Sequence, residues 1–203
     1  MDSRDGPVEI LRRHDIAACL WSEDALSFYG VPTVVFELYL LVPDEDLDKA
    51  STILSSSPGY QHIPPNDREM QIHTFRQVFL KYLSHRFMGP WSDITGVQLL
   101  PAQEFAHFTI SNDTTIRQGP CLYPKLADFI EALVAKYLEM TNTRAEVAYM
   151  AFVRIYLFYL GEYAVEKYSV LDYLSPKAHL LWTHVLQGKM MFGEEGLEMY
   201  RKS

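Results

Sequence analysis

Residues 34–42 read Val-Val-Phe-Glu-Leu-Tyr-Leu-Leu-Val and end at Pro43. Side chains alternate faces along a strand, and this stretch is apolar at every even position: Val34, Phe36, Leu38, Leu40 and Val42. The spacing predicts a strand over 34–42 with one face that is wholly core. The other face carries Val35 and Leu41 and presents a carboxylate, Glu37, beside a phenol, Tyr39. Asp44-Glu45-Asp46 then opens a predicted helix with Leu47, Ala50, Ile53 and Leu54 on its inner side, closed by Pro58-Gly59.

Upstream, Pro7 to His14 reads as a short helix turning Val8 and Leu11 inward, and Ala17 to Leu20 as a short buried strand. Ser22 is a natural N-cap, Glu23 and Asp24 suit a first helical turn, and Ala25, Leu26 and Tyr29 follow at helical spacing up to the stop at Gly30. Downstream, His62 to Asp67 reads as a loop with two prolines, and Gln71 to Leu83 fits both the helical and the strand period. Val97 to Leu100 and Phe105 to Ile110 are predicted strands, and Gly119-Pro120 breaks the chain.

From Pro124 the pattern turns helical. Leu126, Phe129, Ile130, Leu133, Val134, Tyr137 and Leu138 form one continuous stripe. Thr143-Arg144-Ala145-Glu146 is a capping box before a second, very apolar helix running to about Gly161. Its aromatic residues Tyr149, Phe152, Tyr156, Phe158 and Tyr159 read as core or as an oligomer contact. Ser175-Pro176 opens a third helix carrying Leu180, Leu181 and Val185. The expected class is α+β: a small mixed sheet flanked by helices in residues 1–120, and a helical region in 121–203 packed on it as one compact unit.

The 203 residues are 48% hydrophobic and 13% aromatic, which excludes a disordered chain. Net charge is −8, and residues 1–60 hold eleven acidic against four basic side chains. Nucleic-acid binding relies on Lys and Arg displacing counterions from phosphates, and no basic run or face supplies that, so no nucleic-acid partner is expected. The longest apolar stretch, 147–160, is interrupted by Arg154 and falls short of the roughly 20 residues a membrane helix needs. With a polar N-terminus and only Cys19 and Cys121, the expectation is a cytoplasmic protein without disulfides or membrane attachment.

Ala25-Leu26, Tyr29-Gly30-Val31-Pro32 and Val42-Pro43-Asp44-Glu45-Asp46-Leu47 together resemble the small nucleotidyltransferase-like domains of the polymerase-beta type superfamily, in the form common in filamentous fungi. Leu99-Leu100-Pro101-Ala102-Gln103-Glu104-Phe105 and the helical C-terminal half also look like these relatives. The resemblance covers most of the chain in order, with its specific motifs in the first 60 residues. It implies a nucleotidyltransferase-like core over residues 1–120. It also implies a Gly-Gly turn, a basic residue after Val-Pro, two acids one residue apart on a strand and a third acid on a later strand.

This chain differs at each of those positions. The Gly-Gly position reads Ser22-Glu23, preceded by Trp21; the basic position is Thr33; the paired acids are Glu37 and Tyr39; the third matches Gln98. Nucleotidyl transfer uses two metal ions, and magnesium wants hard oxygen ligands in octahedral geometry. One carboxylate, a phenol and an amide do not supply them. Trp21 adds bulk where phosphate would meet backbone N–H groups, and Glu23 and Asp24 add like charge. The resemblance therefore implies a pseudoenzyme that has lost nucleotidyl transfer, without a metal or other cofactor. It would bind a small molecule or protein partner in a cleft lined by Trp21, Ser22, Glu23, Asp24, Gln98 and His107.

The alternative is metal-independent chemistry on a small apolar metabolite, with Glu37, Tyr39 and His85 as acid–base candidates. Residual transfer activity is a third reading. Each candidate also has a plainer role: Glu37 and Tyr39 as a structural hydrogen-bonded pair, Trp21 as a plug, Ser22 as a cap, His85 and His107 as ordinary half-buried histidines, Cys19 as a small hydrophobe.

Overall fold

The computed structural model describes residues 5–35, 37–63, 78–82, 96–105, 108–139 and 144–186. Its centre is the strand that the alternation pointed to. β1 (Cys19–Leu20), β2 (Leu38–Val42), β3 (Tyr60–Ile63), β4 (Val78–Tyr82), β5 (Gly96–Pro101), β6 (Thr115–Gln118) and β7 (Cys121–Pro124) form one mixed sheet in the order β3-β4-β5-β2-β1-β7-β6. β2 runs parallel to β5 and antiparallel to β1, and β1 runs parallel to β7.

Alternation along the central strands feeds two separate cores. Leu20, Leu38, Leu40, Val42, Val97 and Leu99 face one side, under α1 (Gly6–Arg13) and α3 (Leu47–Ser56), which contribute Val8, Leu11, Leu47, Ala50 and Leu54. Cys19, Leu41, Leu100 and Leu122 face the other side. There they meet α2 (Ser22–Phe28), α4 (Leu126–Glu139), α5 (Arg144–Leu160) and α6 (Pro176–Leu186). The class is α+β with a C-terminal helical region, and every residue of the predicted 126–138 stripe is buried in the core that the helices share with this face of the sheet. Ser175 caps α6, its Oγ accepting the Ala178 N–H at 3.2 Å, with Pro176 in the first turn.

Four local expectations are corrected. The 34–42 strand is only Leu38–Val42, with Val34 66% exposed, because the ladder with β5 begins at the Leu38–Val97 pair. His62 and Ile63, expected as the start of a loop, are the end of a strand, since β4 pairs with Tyr60–Ile63 residue for residue. Phe105 and residues 108–110 are not in a strand: Ala102–Glu104 is a 3₁₀ turn, and the Phe108 N–H donates to the Phe105 carbonyl at 3.0 Å. That turn lets two phenylalanines three residues apart reach one core, whereas residues three apart on a strand face opposite ways. Finally, β6 and β7 form a hairpin across Gly119-Pro120, with Gly119 at φ +59°, so the sheet continues past residue 120. The Thr143 capping residue and the loop from 64 to 67 lie outside the described residues.

Of the two readings of the α5 aromatics, core or oligomer contact, the core reading fails for Phe152, Phe158 and Tyr159, which are exposed. Val153, Leu157 and Leu160 point inward, while Phe152 is 42% exposed. Leu133, 1% exposed in the middle of α4, therefore carries far more stability than Phe152. Leu133→Ala should cost about 2–5 kcal/mol by removing buried volume. Phe152→Ala, measured in dilute protein, should cost under about 1 kcal/mol. Urea melts of the two variants check the ranking.

Candidate functional site

The parallel register places Tyr39 of β2 directly beside Gln98 of β5. Both lie on the side of the sheet that faces the C-terminal helices, because their strand neighbours Leu38, Leu40, Val97 and Leu99 face the other core. Glu37 sits at the bend before β2, in phase with Tyr39, and its Oε2 accepts a hydrogen bond from Gln98 Nε2. Glu37, Tyr39 and Gln98, three positions singled out in the sequence, thus share one patch of the sheet. Gln98 is 5% exposed, and among the described residues its Oε1 is a buried acceptor with no hydrogen bond. Tyr39 is half-buried against the helical core.

The turn between β1 and α2 adjoins this patch. Trp21 N–H donates to the Tyr39 carbonyl at 2.9 Å, extending the pairing of β1 with β2 by one residue. The indole is 1% exposed, with the rings of Phe105, Phe108 and Phe129 at 4.7, 4.9 and 4.8 Å between centroids. Ser22 follows with φ +52°, a left-handed conformation that costs a residue with a Cβ about 1–2 kcal/mol and glycine almost nothing. The expected serine cap is corrected here. Trp21 occupies the N-cap position, Ser22 is the first helical residue, and the end of the helix has no side-chain cap hydrogen bond. With its backbone in the left-handed region, Ser22 stands one place too far along to cap.

Glu23 turns toward the helical half, where the Tyr156 hydroxyl of α5 donates to its Oε1 at 2.7 Å. Asp24 is buried. Sequence reasoning missed Tyr156 and the three phenylalanines around Trp21. The spacing of Phe105 and Phe108 would have signalled the cluster only once the chain between them was known to turn. His85 and His107 lie outside the described residues. Among the described residues, no three His, Cys, Asp or Glu side chains are grouped so that they could hold a metal ion.

Chemically, the patch offers one carboxylate with an oxygen already bound by an amide, and a phenol next to it. An amide donor facing a carboxylate stabilises the charged form without supplying a metal ligand. Both cysteines are free and buried. Burial, the hydrogen bond to Asp5 and the charge of Asp5 push the Cys121 thiol up to about 12, and burial raises Cys19 as well. Neither is a ready nucleophile, since the thiolate is the reactive form. No protein-family model matches the chain, and no curated protein or solved structure matches it either.

Two measurements test this geometry. A double-mutant cycle on Glu37→Ala and Gln98→Ala should give a coupling energy of about 0.5–3 kcal/mol in urea melts, as expected for groups joined by a buried hydrogen bond. For the thiols, the folded state favours the neutral Cys121 while an unfolded thiol ionises near 9.0. Stability should therefore fall as pH rises from about 9 toward about 12. At pH about 8, iodoacetamide should label both cysteines slowly in the native protein and rapidly in urea.

Proposed function

We propose that this chain is a nucleotidyltransferase-like protein in which the phosphate-binding turn and the acidic cluster have been rebuilt as packing. It does not transfer nucleotides; its remodelled cleft serves to hold a small molecule or a protein partner. The observation that carries the reading is the joint placement of Glu37, Tyr39 and Gln98 on one face of the sheet, with Gln98 hydrogen-bonded to the remaining carboxylate. The left-handed Ser22 supports it, because a turn that requires positive φ between a strand and a helix is where a Gly-Gly pair fits. Trp21 supports the loss of transfer: its ring is packed among three phenylalanines beside the turn that would receive phosphate. Glu23 and Asp24 in the first turn of α2 add negative charge there.

A second reading, acid–base chemistry by Glu37 and Tyr39 on a small metabolite, draws on the half-buried position of both residues on one face. Native mass spectrometry of the purified protein gives the mass of a retained small molecule, and conversion of that molecule by the protein, abolished by Glu37→Ala or Tyr39→Phe, would favour the second reading, whereas binding without conversion favours the first.

The expected outcome for triphosphates is negative. Titration calorimetry with magnesium and each nucleoside triphosphate should show no binding tighter than about 1 mM. Tyr39→Asp alone should not create binding, since it rebuilds one ligand and leaves the turn filled by Trp21. Magnesium-dependent micromolar affinity that Glu37→Ala abolishes would overturn the reading and restore transfer as the function.

A further inference from the structure

The C-terminal end of α1 and the β6–β7 hairpin enclose a pocket of about 220 Å³ that is partly open to solvent. Its floor is apolar and belongs to the cores: Val8, Ile16 and Leu122 are buried. Its rim is cationic. Arg12, in the last turn of α1, and Arg117, on the edge strand β6, both line the pocket and both are exposed. Among the described residues neither guanidinium has an ion pair. Arg12 makes no side-chain hydrogen bond there, and Arg117 makes one, from Nη1 to the Pro120 carbonyl at 3.4 Å.

The turn after α1 builds this arrangement. Asp15 adopts φ +58°, and the Asp15 and Ile16 N–H groups donate to the Arg12 and Leu11 carbonyls at 3.2 and 3.1 Å. Such a left-handed turn ends the helix and folds Ile16 back onto the floor. It also pairs the last carbonyls of α1, whose partial negative charge would otherwise oppose an anion. Two more cations stand at the same corner: Arg13, paired with Glu9 at 3.5 Å, and Lys49, whose Nζ donates to the His14 carbonyl at 3.4 Å. The chain carries −8 overall, but at physiological salt exposed charges beyond about 8 Å are screened, so the charges of this corner decide. Asp15 is the one carboxylate among the lining residues, and with Arg12 and Arg117 it leaves a single net positive charge.

A guanidinium meets a carboxylate as a planar, two-pronged donor, and an apolar floor favours a body that leaves water. A single net positive charge suits a monoanion better than a phosphate dianion. The volume lies below the about 300–1,000 Å³ of sites for drug-sized ligands, so the occupant is small. We propose that this pocket binds a small monocarboxylate with an apolar body, its carboxylate held by Arg12 and Arg117 and its body resting on Val8, Ile16 and Leu122. The pocket sits at the β6 edge of the sheet, whereas Glu37, Tyr39 and Gln98 sit about β2 and β5 at its centre, so the two sites stand or fall separately.

Benzoate is the probe, titrated into the nitrogen-15-labelled full chain at about 0.15 M ionic strength and followed by amide chemical shifts. Shifts at residues 12–18 and 117–122 should saturate with a dissociation constant of about 0.3–5 mM. Benzamide, which has the body without the charge, and acetate, which has the charge without the body, should each bind at least about tenfold more weakly. Arg12→Gln and Arg117→Gln should each weaken benzoate at least about fivefold with unchanged circular dichroism, and Arg117→Lys should lose less than Arg117→Gln. Asp15→Asn, which keeps a side chain that tolerates the left-handed turn, should tighten binding about two- to threefold. Shifts that do not saturate, that fall elsewhere on the chain, or that persist in Arg12→Gln/Arg117→Gln would overturn the proposal. So would benzamide binding as tightly as benzoate, or inorganic phosphate binding more tightly.

Discussion

Five residues of β2 pair in parallel with five of β5, and both the cores and the candidate site are arranged around that ladder. In-register pairing means that residues side by side point the same way. Leu38, Leu40 and Val42 therefore join Val97 and Leu99 in one core, and Leu41 joins Leu100 in the other. The same rule carries Tyr39 to Gln98. Polar side chains at these positions survive in a buried sheet because they meet one another: Gln98 reaches Glu37, and the Glu37 carboxylate gains a donor. A slip of one residue in the pairing would turn Gln98 into the face packed by α1 and α3 and leave it among leucines.

The aromatic cluster at Trp21 follows from the same sheet. β1 pairs for only two residues, but the Trp21 N–H still reaches β2, which fixes where the indole enters the second core. Phe105 and Phe108 arrive from the turn after β5, and Phe129 from the first turns of α4. Two separate segments thus converge on one ring. That convergence ties the sheet to the helical half, and the Glu23–Tyr156 hydrogen bond ties α2 to α5 beside it. A turn built to admit a phosphate would be open to solvent. Here the indole is sealed within the core, and the first turn of α2 carries two acidic side chains, Glu23 and Asp24.

Helices were the most legible feature of the chain. The stripe on α4, the inward residues of α1 and α3, and the Ser175-Pro176 start of α6 all depend on spacing and capping within a few residues. The strands were less so. Val34 lies outside the strand although its pattern is right, because a strand ends where its neighbour's pairing ends. β6, Thr-Ile-Arg-Gln, shows almost no alternation to read, being an edge strand with three exposed residues, and its hairpin to β7 passed unnoticed. On α5, apolar residues occur all round the helix, so spacing alone could not separate buried Val153 from exposed Phe152.

For the site, the sequence by itself determined which residue types stand there: a carboxylate, a phenol and an amide at Glu37, Tyr39 and Gln98, and a tryptophan before a serine at the start of α2. These are matters of residue type at fixed positions, and no fold changes them. Only the tertiary structure decided that Glu37, Tyr39 and Gln98 share one face, that Gln98 binds the carboxylate, and that the indole is packed rather than lining an opening. Glu37 and Gln98 stand 61 positions apart in the chain, and Trp21 and Phe129 more than 100. Contacts over such separations come from the strand register and the helix packing, which local periodicity does not encode.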